Sequence, residues 1–237
     1  MVKLIFALFL VFHAQLGAAD QPIKALKILL DPGHSLASPG ALGARAIQEV
    51  HYNNTFTTEL ARALEIAGFQ VLLTRLPDEE ITLDKRAEIA NSSRADLFLS
   101  IHHDSAQLRY LESITVDGKS AWRSKISLQG YSVFVSAINP HFDKSLDFAK
   151  AMAQHLYALG RKPTLHHAEK IAGESRELLD TRFGIYRFDE LLVLRKAKIP
   201  AVLLEIGVIV DAQDEAYVSS KVNRVAMVNA IVNSLKR

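Results

Sequence analysis

The chain has 237 residues, of which 49% are hydrophobic and 23% charged, a balance that excludes disorder and is enough for one large core. A formal net charge of +2 is too mild to argue for a nucleic-acid partner. Cysteine is absent, which excludes a disulfide framework, a thiol nucleophile and a lipid-modified cysteine.

Residues 1–19 read as a signal peptide. Lys3 supplies the positive start, Leu4 to Phe12 the apolar stretch, and Ala18-Ala19 before Asp20 the small-residue cleavage site. An apolar run of roughly ten residues is well short of the ~20 that span a bilayer, so a cleaved leader is expected rather than a stable membrane anchor. The mature protein, residues 20–237, is then expected in a periplasm or outside the cell.

Beyond the leader, short apolar runs alternate with helical periods. Residues 27–31, 70–74, 96–101, 131–136 and 201–206 predict strands. Residues 49–67 predict a helix with Val50, Phe56, Leu60, Ala63 and Leu64 on one face and Gly68 as its stop. Residues 83–91, 144–159 and 218–235 predict three more. This alternation predicts an α/β fold: one domain built on a twisted, mostly parallel sheet of about six strands with helices on both faces. Residues 111–129 and 162–188 are more polar and less regular, and read as functional loops or insertions.

Ligands of open α/β sheets bind beyond the carboxyl ends of the strands, so polar residues that end apolar runs are the candidates. Three runs end this way. The first enters Asp31-Pro32-Gly33-His34, the second His102-His103-Asp104, and the third Glu205. The Pro-Gly turn aims His34 off the strand. Of the adjacent pair His102-His103 only one can face the same side, because successive side chains on a strand alternate. Glu205 follows so apolar a run that a buried carboxylate there needs a cation, a hydrogen-bond network or a proton. Histidines and glutamates without cysteine suit zinc held by nitrogen and oxygen, with one position left open. His-Glu-x-x-His and Gly-x-Ser-x-Gly are both absent. By these residues alone the chain is a candidate metallohydrolase.

Four separated motifs, in order, resemble those of the zinc-dependent N-acetylmuramoyl-L-alanine amidases of the Amidase 3 type. They are Leu30-Asp31-Pro32-Gly33-His34, Glu49 opening the helix that carries Asn53, Ser100-Ile101-His102, and Pro200-Ala201-Val202-Leu203-Leu204-Glu205-Ile206-Gly207. Leu73-Thr74-Arg75 and Arg86-Ala87-Glu88-Ile89-Ala90-Asn91 look like the family's connecting segments. The resemblance implies one zinc ion held by His34, Glu49 and His102, with Glu205 as the catalytic carboxylate. It further implies cleavage of the amide between N-acetylmuramic acid and L-alanine, peptidoglycan as partner, and a protein activator. Two alternatives stay open: a zinc peptidase acting within the stem peptide, and a non-catalytic wall-binding or activator protein on the same fold. Asp31 and Arg75 are expected to support the site, or else to cap a turn and form a surface ion pair.

The chain departs from the family pattern in two places. His103-Asp104 stands where Ala-Asn is common after Ser-Ile-His, and residues 165–179, with His166, His167, Glu169, Glu174 and Glu177, look inserted. In some relatives an inserted helix covers the metal and holds the enzyme inactive. By that resemblance residues 165–179 would form a regulatory helix with Glu174 as the blocking carboxylate; the alternative reading, which the residues favour, is a solvated helix or a wall of the substrate groove.

Overall fold

In the computed structural model, residues 26–236 are described, and the expected leader, residues 1–19, lies outside them. Strands β1 (Lys27–Pro32), β3 (Leu97–Asp104) and β9 (Ala201–Val208) form the buried middle of a seven-stranded sheet of order β2-β1-β3-β9-β6-β8-β7. The other members are β2 (Gln70–Leu73), β6 (Ser132–Val135), β7 (Glu177–Asp180) and β8 (Ile185–Arg187). The sheet is mixed. β6 runs antiparallel to β9, and β7 antiparallel to β8, while the other four pairings are parallel. The mostly parallel sheet of about six strands expected from the sequence is thus found, with a seventh strand and the two antiparallel pairings added to it. β7 and β8 are only 4 and 3 residues long, too short to carry a readable period.

Residues 111–129 are also more regular than expected. They form the hairpin β4 (Leu111–Val116) and β5 (Lys119–Ser124). Asp117 and Gly118 turn it with φ of 49° and 76°, the two positive values a tight two-residue turn needs.

The strands sort their side chains by alternation. Ile28, Leu30, Leu97, Leu99, Ile101, Val202 and Leu204 enter the larger core. That core is filled from helices α1 (Glu49–Ile66), α3 (Phe142–Ala158) and α6 (Lys221–Leu235). Leu29, Phe98, Ala201 and Leu203 face the opposite way into a smaller core with α2 (Leu83–Ser92) and α4 (Leu192–Lys196). Helices therefore cover both faces, as expected. The predicted helix 218–235 is broken: α5 (Ala212–Ser219) ends at Ser220, whose extended backbone (φ −69°, ψ 122°) precedes α6. No proline or glycine marks that break.

Residues 165–179 do not form the expected regulatory helix. Only a 3-10 turn at His166–Ala168 and the first residues of β7 are regular there.

Leu204 is fully buried in the central strand, whereas Leu72 on the edge strand is 40% exposed. Leu204→Ala is therefore expected to cost about 2–5 kcal/mol in urea unfolding. Leu72→Ala should cost less, about 1 kcal/mol or under, because little apolar surface is lost there.

Candidate metal centre

The strand alternation that builds the two cores also decides which residues meet. Asp31, Ser100, His102 and Glu205 continue the side of the sheet that faces α2 and α4, and His102 pairs in register with Glu205. His103 turns to the other side. There it packs on Tyr52 and Phe56 and bonds Asn53 Oδ1 through Nδ1 at 2.8 Å. Burial lowers its pKa to about 3, so it is a neutral core imidazole. The structure thus separates the adjacent histidines and brings His102 to the site.

His34, Glu49 and His102 present one nitrogen or oxygen each, all within 4.8 Å of one another. The Glu49 carboxylate stands between the two rings, with Oε2 at 3.0 Å from His34 Nε2 and Oε1 at 3.1 Å from His102 Nδ1. It is buried at the start of α1, where the helix dipole favours an anion. Three further donors hold it: Ala41 N–H at 3.0 Å, Asn53 Nδ2 at 3.0 Å and His103 N–H at 3.2 Å. Burial opposes its ionisation, but hydrogen bonds and charge from His102 and His34 outweigh burial and hold the carboxyl well below the usual carboxylate range.

Two glycines make room for these rings. A Cβ on Gly33 would lie 2.3 Å from the His102 imidazole, and one on Gly40 2.3 Å from Glu49 Oε2. Gly40 also has φ +76°, which disfavours any side chain. His34 itself has φ 62°, an uncommon conformation outside glycine. Arg86 Nη2 fixes that conformation by donating to the His34 carbonyl at 2.5 Å.

The turn before His34 is held from beneath. Asp31 accepts from Arg86 Nη1 at 2.5 Å, Thr74 Oγ1 at 2.5 Å and Ser100 Oγ at 2.7 Å. Arg75 donates to the carbonyls of Pro32 and Gly33, each at 3.1 Å, and to Asn54 Oδ1 at 2.9 Å. Arg75 is 2% exposed, so it is a buried clamp, and the alternative of a surface ion pair is corrected. Arg86, which the motif match carried without a role, is the equal partner of Arg75 in this clamp.

Glu205 is not one of the three clustered ligands. Its residue keeps some surface, yet Oε2 is enclosed with no hydrogen-bond partner. Burial, and then the negative charges of Asp104 and Glu49, raise its pKa well above the ordinary carboxylate value. Beside His34 and His102 opens a cleft of about 400 Å³, walled by Ile81, Leu83, Leu192, Val193 and Leu203. Glu174, expected as a blocking carboxylate, is bonded to His167 Nδ1 at 3.0 Å and Gln107 Nε2 at 2.8 Å instead.

Two imidazoles and a carboxylate, oriented by further hydrogen bonds and edged by glycines, suit a divalent metal with nitrogen and oxygen ligands. The profile of the N-acetylmuramoyl-L-alanine amidase family, Amidase_3, matches residues 28–237. The chain belongs to this family. A protein of Staphylococcus epidermidis named "Probable cell wall amidase LytH" is 28% identical over 226 residues, which is 94% of this chain and 62% of that protein. The chain therefore spans less than two thirds of the length of that relative. Among solved structures, the apo form of the N-acetylmuramyl-L-alanine amidase of Mycobacterium abscessus is similar at 25% identity and a TM-score of 0.68, over 90% of this chain and 97% of that one. The CwlD amidase of Clostridioides difficile, solved in complex with the GerS lipoprotein, is similar in fold at 21% identity and a TM-score of 0.65, over 88% and 95% of the two chains.

Asn53 touches Glu49, the Gly33 carbonyl and His103 without being a candidate ligand. Asn53→Ala is expected to weaken divalent-metal affinity about 10- to 100-fold while the protein stays folded. Calorimetric titration of the stripped protein checks this.

Proposed function

We propose that the chain is an exported zinc amidase that hydrolyses the bond between N-acetylmuramic acid and L-alanine in peptidoglycan. The observation that carries this reading is the His34–Glu49–His102 cluster beside Glu205, whose Oε2 is enclosed without a hydrogen-bond partner. Family membership supplies the substrate class, and residues 1–19 supply the route of export as a cleaved leader.

In this reading His34, Glu49 and His102 hold the ion. Bound zinc supplies Lewis-acid polarisation of the scissile carbonyl and a nucleophile ionised near neutral pH. Glu205 takes the proton of the attacking water and passes it to the leaving amine. Its enclosure makes it a stronger proton holder than an exposed carboxylate, which suits a group that must both accept and donate. Arg75 and Arg86 keep the His34 turn fixed while this happens. The apolar cleft walled by Leu192 and Val193 is where we place the substrate. Peptidoglycan is the partner of the reaction. A protein activator is a second one, by analogy with the Clostridioides difficile amidase solved with a lipoprotein.

Glu205→Gln is expected to retain zinc and lose about 10²- to 10⁴-fold in turnover of labelled peptidoglycan. His102→Ala should lose both together. Mass analysis of the released fragments identifies the bond: intact stem peptides beginning at L-alanine support the amidase, and cleaved stems replace it with a peptidase. Full turnover by Glu205→Gln would falsify the role given to that residue.

A further inference from the structure

The two places where the chain departs from the family pattern come together in the fold. Asp104, at the end of β3, meets His166 and His167 of the 3-10 turn. Asp104 Oδ2 lies 2.7 Å from His167 Nε2 and 3.5 Å from His166 Nε2, and the three donor atoms are all within 4.8 Å of one another. Each imidazole is anchored through its other nitrogen. His166 Nδ1 is bonded to Thr164 Oγ1 at 2.8 Å, and His167 Nδ1 to the Glu174 carboxylate at 3.0 Å. Gln107 Nε2 in turn holds Glu174 at 2.8 Å. A histidine backed by a carboxylate on one nitrogen and presenting the other is the usual support of a metal ligand.

One atom of this group lacks a counterpart. His166 Nε2 is buried with no hydrogen-bond partner, and its side chain is only 3% exposed. Buried polar atoms are almost always satisfied, so an imidazole nitrogen aimed at Asp104 and His167 with no partner points to a ligand between them.

We propose that Asp104, His166 and His167 form a second divalent-cation site, suited to zinc and separate from His34, Glu49 and His102. Two nitrogens and one carboxylate oxygen are a donor set that zinc prefers to magnesium or calcium, which take oxygen. The side chains of Asp104, His166 and His167 are mostly enclosed, at 11%, 3% and 13% exposure, and three protein donors leave the fourth position of a tetrahedral ion to another ligand. There the ion ties the segment around His166 to the end of β3, next to the strand position that carries His102. This second site does not depend on the reaction proposed for the first.

The test is zinc stoichiometry on the full-length mature protein, stripped with chelator and titrated with zinc alone, with circular dichroism to confirm folding. Two equivalents are expected for the unaltered chain. One should remain in the His34→Ala/His102→Ala variant and one in His166→Ala/His167→Ala. Glu174→Gln should weaken only the second equivalent, by about 10- to 100-fold. A first-site variant that binds no zinc overturns the proposal, since His167 is then simply clamped between two carboxylates. So does a His166→Ala/His167→Ala variant that still binds two equivalents. If that variant does not fold, the first-site variant alone decides: one equivalent supports the second site and none removes it.

Discussion

Two guanidinium groups take up the carbonyls that β1 leaves unpaired where it turns out of the sheet. Arg75 and Arg86 together bond the oxygens of Pro32, Gly33 and His34, and Arg86 is neutralised by Asp31. Buried ions of this kind are not a large net source of stability, because desolvation offsets much of their attraction. Their effect is geometric. A turn with a histidine at positive φ is held by side chains reaching in from α1, α2 and just past the end of β2, and the first imidazole is thereby fixed in space. Removing Asp31 alone would leave Arg86 buried without a counter-charge, the costly way to break such a pair.

The same logic runs through the rest of the site. Glu49 is ionised against burial because five hydrogen-bond partners surround it, two of them imidazoles. Glu205 has no partner for Oε2 and goes the other way. Two glutamates close enough to share charge thus take opposite protonation tendencies from their surroundings alone, a common arrangement where one group binds and another moves protons.

Much of this was legible in the residues, and for a physical reason. β1, β3 and β9 are buried on both faces, so they are near-continuous apolar runs, and the polar residue ending each run stands out. That is how His34, His102 and Glu205 can be read directly. Glu49 could not, because a glutamate in a first helical turn is ordinary; only the family resemblance marked it. Arg75 and Arg86 bond backbone carbonyls, and no side-chain pattern encodes a carbonyl. The Asp117-Gly118 hairpin does carry a signal, an Asp-Gly pair between two extended runs, although the polar stretch around it reads as a loop. The break at Ser220 carried none. In residues 165–179 the histidines and Glu174 were visible as an unusual group, but the helix expected of them was not there. Their meeting with Asp104 spans more than sixty residues and is a property of the fold alone.

The alternation of His102 and His103 has a consequence for how β3 finds its place. If the strand slipped forward by one residue, His103 would occupy the position of His102 and still offer an imidazole to an ion. Metal binding therefore cannot proofread the register of this strand. The slip would, however, press Asp104 between Tyr52 and Phe56, where His103 now sits, and turn Phe98 and Leu99 toward each other's core. Correct assembly of the centre is thus enforced from the side of the sheet opposite His102.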